Sequence, residues 1–120
     1  GKLVRSKSEV IIANCLHSKN IKFLYEEKLV APDGSYRYPD FTIKDDESGN
    51  IYYWEHLGML GNPNYKQSWR QKLAWYKAQN ILKHEDGGGT NGTLIVSYEN
   101  DQGGIDSQEI DAKIDTIFGS

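Results

Sequence analysis

The chain has 120 residues, enough for one hydrophobic core and too few for two, so a single domain is expected. Hydrophobic residues make up 38% and charged residues 26%, with eight Tyr and three Trp, a composition that folds and excludes intrinsic disorder. The formal charge of −3 excludes a module that holds nucleic acid by bulk basic electrostatics, so any such contact must be local. The one cysteine, Cys15, excludes an intrachain disulfide and a thiolate zinc site, and it suits a reducing cytoplasm. No apolar run approaches the roughly 18 residues that a bilayer requires, and the opening GKLVRSKSE lacks the apolar stretch of a signal peptide, so a soluble protein with no membrane partner is expected. The chain does not begin with Met and meets a helix signal almost at once, as a domain excised from a longer protein would.

Ser6-Lys7-Ser8-Glu9 has the S-x-x-E form of a capping box, and Val10, Ile11, Ile12, Cys15 and Leu16 follow at helical spacing, which predicts a helix over about 6–19. The run 21–29 is rich in strand formers and closes on Ala31-Pro32-Asp33-Gly34-Ser35, a turn cluster. Two further strands are predicted over 36–44 and 51–59, paired antiparallel across the polar turn Asp45-Asp46-Glu47-Ser48-Gly49-Asn50. After Gly61-Asn62-Pro63-Asn64, the stretch 65–83 runs without Gly or Pro and reads as the longest helix. A glycine-rich loop over 85–92 leads to a buried strand at 93–98, and Ile110, Ile114, Ile117 and Phe118 mark a last helix. The predicted order is helix, three strands, helix, strand, helix: an α/β domain whose sheet mixes antiparallel and parallel pairing, with helices on both faces.

In the predicted hairpin, opposed residue numbers have a constant sum, and a turn centred between Glu47 and Ser48 places Asp40 opposite Glu55. Two like charges there, with Cβ atoms about 5 Å apart, destabilise a sheet unless something offsets them. A divalent cation would do so, and carboxylate oxygens suit Mg²⁺ or Mn²⁺. Alternation puts Tyr36, Tyr38, Asp40 and Thr42 on one face and Arg37, Pro39, Phe41 and Ile43 on the other. Tyr53, Glu55 and Leu57 share a face, opposite to Tyr52, Trp54 and His56. The alternative is an open, solvated sheet face on which each acid pairs with Lys or Arg.

The segments Tyr38-Pro39-Asp40-Phe41 and Tyr53-Trp54-Glu55-His56-Leu57-Gly58 resemble the PD and (D/E)XK elements of the PD-(D/E)XK nuclease superfamily, and the order of elements over about 5–98 is similar to its restriction-endonuclease-like core. The resemblance implies a Mg²⁺- or Mn²⁺-dependent nuclease acting on DNA, of the kind appended to helicases, restriction enzymes, and repair or defence proteins. It assigns the metal to Asp40, Glu55, the backbone carbonyl of His56, and an acid on the first helix, here Glu9. Glu9 is equally accounted for by the capping box, although it shares a helix face with Ile12, Ala13 and Leu16.

The motif's lysine position, two residues after the acid, is Leu57. In some relatives the lysine comes from the following helix, where Tyr65, Trp69, Lys72 and Tyr76 form one stripe. Lys72 is the candidate charge stabiliser, and the step to Tyr76 resembles the Gln-x-x-x-Tyr element of the exonuclease branch. The alternative is an aromatic core along which Lys72 snorkels to water. A further alternative is a degenerate relative that keeps the fold as a nucleic-acid or protein-binding module. The side chain of His56 should turn away from Glu55, and His17 and His84 have no partner at metal-ligand spacing. Gly87-Gly88-Gly89-Thr90-Asn91-Gly92 lacks the ending of a P-loop and reads as a flexible connector. Lys66, Arg70 and Lys77 read as a solvated helix face that could touch a DNA backbone.

Overall fold

The computed structural model describes residues 6–100 and 102–119. Helix α1 (Lys7–Ser18) begins where the capping signal places it, with the Ser6 hydroxyl accepting from the Glu9 N–H at 3.2 Å. The reciprocal half of the box does not form, because the Glu9 carboxylate accepts from the Tyr25 hydroxyl instead. Helix α2 (Pro63–Ala78) starts with Asn62 as its N-cap and Pro63 in the first turn, a position where the missing N–H costs nothing. Both helices end alike: Asn20 follows the C-cap Lys19 and Asn80 follows the C-cap Gln79, each at positive φ, 59° and 58°. Asn tolerates this left-handed geometry better than most residues.

The second of these stops corrects the predicted long helix. Asn80 ends it, and the next residues form strand β6 (Ile81–Lys83), which was not anticipated. The first predicted strand also divides. Glu26 at φ 52° turns the chain between β1 (Leu24–Tyr25) and β2 (Leu29–Val30), which belong to different sheets. The run 36–44 divides likewise into β3 (Tyr36–Arg37) and β4 (Phe41–Lys44), because Pro39 lacks the N–H a ladder needs and lies buried at the bend. Strict alternation from residue 36 to 43 therefore fails: Arg37 packs over Trp75 of α2, whereas Phe41 and Ile43 face the opposite layer.

The hairpin of β4 with β5 (Ile51–Leu57) keeps the expected register, with Phe41 opposite Trp54 and Lys44 opposite Ile51. Strand β7 (Gly92–Tyr98) lies parallel to β5 on one side and to β6 on the other. The mixed five-stranded sheet has the order β1-β4-β5-β7-β6, and β2 and β3 form a separate two-stranded ribbon. On one face α1 and α3 (Ser107–Phe118) cover Phe41, Ile43, Trp54 and Ile95. On the other, Trp75 and Tyr76 of α2 cover Tyr53, Leu57, Leu94 and Val96. Each face of the sheet thus buries its own apolar layer, the arrangement that makes a helix-sheet-helix sandwich stable.

The glycine-rich loop is tied down rather than free. Asn91 Nδ2 donates to the Gln79 carbonyl, its N–H donates to the Asn80 carbonyl, and a Cβ at Gly89 would stand 2.1 Å from that same Asn80 oxygen. Only a glycine allows this approach of two backbones. The loop therefore fixes the end of α2, the helix that carries Lys72 and Tyr76.

Candidate active site

Asp40 sits where β4 parts from β5, one residue beyond the last paired position. A backbone carbonyl would ordinarily satisfy the next β5 N–H, but the Asp40 side chain does so: Oδ2 accepts from the His56 N–H at 2.7 Å. The register extends to set Asp40 opposite Glu55, and Glu55 is only 3% exposed. Burial pushes the Asp40 carboxyl up from 3.8 to about 7, the Glu55 carboxylate adds to that rise, and the His56 N–H and Lys72 oppose it. Burial also raises Glu55, against the opposing pull of Lys72 and Tyr76.

Helix α2 supplies both groups that hold Glu55. Lys72 Nζ lies 2.7 Å from Glu55 Oε2, and the Tyr76 hydroxyl donates to the same oxygen at 2.5 Å. Burial and the Glu55 charge hold the Tyr76 hydroxyl well above the ordinary phenol range, so it stays a donor. The predicted stripe does face the sheet: Tyr65 accepts from the Gly58 N–H at 3.1 Å, and Trp69 packs against the α2-side core. Leu57, at the position of the motif lysine, is 3% exposed and belongs to that core. The solvated-face alternative does not hold for Glu55, although its pairing with a lysine does.

The hydrogen bonds to this pair use Oδ2 of Asp40 and Oε2 of Glu55. Among the described residues, Oδ1 of Asp40 and Oε1 of Glu55 take part in no hydrogen bond or ion pair, which leaves one oxygen of each acid for a ligand. The His56 N–H points to the β4 edge, and in an extended strand the carbonyl of the same residue points there too. Two carboxylate oxygens and a carbonyl oxygen are a donor set suited to a hard cation, which commonly takes one or two carboxylates and keeps water in its other positions. Glu9 is the acid of the first helix. Its side chain is engaged by Tyr25, though its charge raises both Asp40 and Glu55, and among the described residues no three His, Cys, Asp or Glu side chains converge on one point.

The His56 ring lies on the α1–α3 side, turned away from Glu55 as alternation predicts. Its Nδ1 is 2.8 Å from the Ser97 hydroxyl, which also accepts from Trp54 Nε1 at 2.9 Å, and burial lowers its pKa. Cys15 is buried and its thiol is pushed up to about 11, chiefly by burial, so it is no nucleophile at neutral pH. Sequence reasoning missed Tyr25 and Ser97. The parallel pairing of β5 with β7 sets Ser97 opposite His56, and that register leaves no local trace in the sequence. Among the described residues no helix is long and apolar enough to cross a membrane. Comparison of the chain with protein-family models, with curated proteins and with solved structures finds no match.

Proposed function

We propose that the protein is a divalent-metal-dependent nuclease of restriction-endonuclease-like fold that hydrolyses phosphodiester bonds in DNA. The observation that carries this reading is the cluster of Asp40, Glu55 and Lys72, in which α2 delivers an ammonium 2.7 Å from Glu55, the acid that the extended hairpin register sets opposite Asp40. In this reading that ammonium takes over the work of the motif lysine, which Leu57 has no charge to do. Mg²⁺ or Mn²⁺ would be held by Asp40, Glu55 and the His56 carbonyl; Glu9 contributes charge from a distance. When bound, such a cation withdraws charge from a phosphoryl oxygen and makes water a better nucleophile.

The chain's own groups do the rest. Lys72 has protons to offer to negative charge developing on the phosphoryl group, a contribution that grows in a site shielded from water. Tyr76 locks the Glu55 carboxylate in one orientation, and the His56 N–H does the same for Asp40. Burial of Glu55 strengthens the interactions that hold it. The second reading is a catalytically degenerate module that binds nucleic acid or a protein, favoured by the burial of Leu57 at the motif position.

Calorimetric titration with Mn²⁺ and digestion of linear, circular and single-stranded DNA separate the two. The nuclease binds Mn²⁺ and cuts, and both Asp40→Ala and Glu55→Ala abolish binding and cutting. Absence of Mn²⁺ binding by the wild type would refute the nuclease reading.

A further inference from the structure

The ribbon of β2 and β3 has two unlike faces. Inward, Leu29 and Ala31 join the α2-side core and Arg37 lies 5.1 Å over the Trp75 ring. Outward, Tyr36 and Tyr38 are 48% and 47% exposed, with ring centroids 5.7 Å apart and planes at 80°. Val30, 55% exposed, pairs with Tyr36 across the ribbon, and Lys28 Nζ lies 4.2 Å from the Tyr36 ring centre. Tyr38 precedes Asp40 by two residues, so their Cα atoms are within about 7 Å. An exposed aromatic pair with a cation on it, leading along the chain into the acid pair of Asp40 and Glu55, is not what folding by itself selects.

We propose that this outward face is a stacking platform for unpaired nucleobases, and that the substrate reaches Asp40 and Glu55 as a single strand. The inference rests on the nuclease reading of that site. Bases in a duplex are stacked on one another and offer no free face, whereas every unpaired base has a π-surface that a tyrosine can take. The charge of the chain agrees: at −3 it has no bulk basic excess, so in this proposal contact with the bases adds to what local cations supply. Lys28 provides the local positive charge, and a phosphate can draw its ammonium off the Tyr36 face and leave that face open to a base. The perpendicular rings let a base stack on one while its edge meets the other.

The test uses the full chain carrying Asp40→Asn, without metal, so that nothing is cut. Anisotropy of a fluorescein-labelled oligothymidylate is compared with that of the same length as a duplex and as an abasic strand. The single strand should bind most tightly, Tyr36→Ala and Tyr38→Ala should each weaken it by about fivefold or more, and Tyr36→Phe and Tyr38→Phe should retain it. Equal binding of the abasic strand, tighter binding of the duplex, or indifference to both alanine changes overturns the platform. Binding that depends on the tyrosines in a wild-type protein that cuts no DNA with Mn²⁺ would overturn the nuclease reading and leave the platform standing. Cutting of single strands that is insensitive to both alanine changes would overturn the platform and leave the nuclease.

Discussion

Replacing Asp40 with Asn should make the protein more stable at pH 8 and leave it unchanged at pH 4. Asn keeps the shape of the side chain and an oxygen to accept from the His56 N–H, and it removes only the charge. The folded state holds the Asp40 proton up to about 7, whereas the unfolded chain releases it near 3.8. Between those values the native state binds more protons than the unfolded state, so stability falls as pH rises through the window and the full cost is present above 7. At about 1.4 kcal/mol per pH unit the cost reaches about 4 kcal/mol, and relaxation around the charge lowers it to roughly 2–4 kcal/mol. For a chain of this length each kcal/mol moves the melting temperature by about 4 °C, so Asp40→Asn should melt roughly 8–16 °C above wild type at pH 8. Thermal melts followed by circular dichroism at half-unit steps from pH 4 to 8 measure this directly. Melting curves that run parallel across the range, or a variant that melts at or below wild type at pH 8, would show that burial and Glu55 do not strain this carboxylate.

Lys72→Ala leaves Glu55 buried with its cation removed, and should cost about 3 kcal/mol at pH 8, measured by urea denaturation. That loss should shrink as pH falls, because burial raises the Glu55 carboxyl in the folded state and removing Lys72 takes away a group that opposes the rise. Tyr76→Phe deletes one donor to Glu55 without changing the helix or the packing, and should cost about 1–3 kcal/mol in the same assay. Gly89→Ala drives a Cβ into the Asn80 carbonyl and should destabilise by about 3 kcal/mol or more, with hydrogen exchange speeding at the end of α2 and in β6. A surface change such as Glu85→Ala in the neighbouring turn provides the control, with an effect within about 0.5 kcal/mol.

Two kinds of information in the chain had different reach. The start of α1, the β4–β5 hairpin and the face on which Glu55 lies follow from short-range rules, namely a cap three residues from its partner, a turn centre and a period of two. These signals act between residues close in sequence, so the opposition of Asp40 and Glu55 was legible before any fold was known. Division of the first and second predicted strands was less so. Pro39 was visible, but Glu26 at positive φ, its N–H donating to the Asp40 carbonyl, and the separate β2–β3 ribbon with Arg37 over Trp75 involve partners distant in the chain. Asn80 was a stop signal that the absence of Gly and Pro concealed, and β6 exists because β7 offers it an edge.

What the sequence by itself determined is therefore the acid pair and its hairpin. Only the tertiary structure decided what surrounds that pair. A stripe of Tyr65, Trp69, Lys72 and Tyr76 is compatible with a plain aromatic core or with a site. The choice depends on the depth and rotation of α2 over the sheet, which are set by packing among residues far apart in the chain. That packing brings Lys72 and Tyr76 to one oxygen of Glu55, engages Glu9 with Tyr25, and buries Leu57 in the core beneath α2. Local periodicity specifies which way a side chain points, and only the packed fold specifies what it meets.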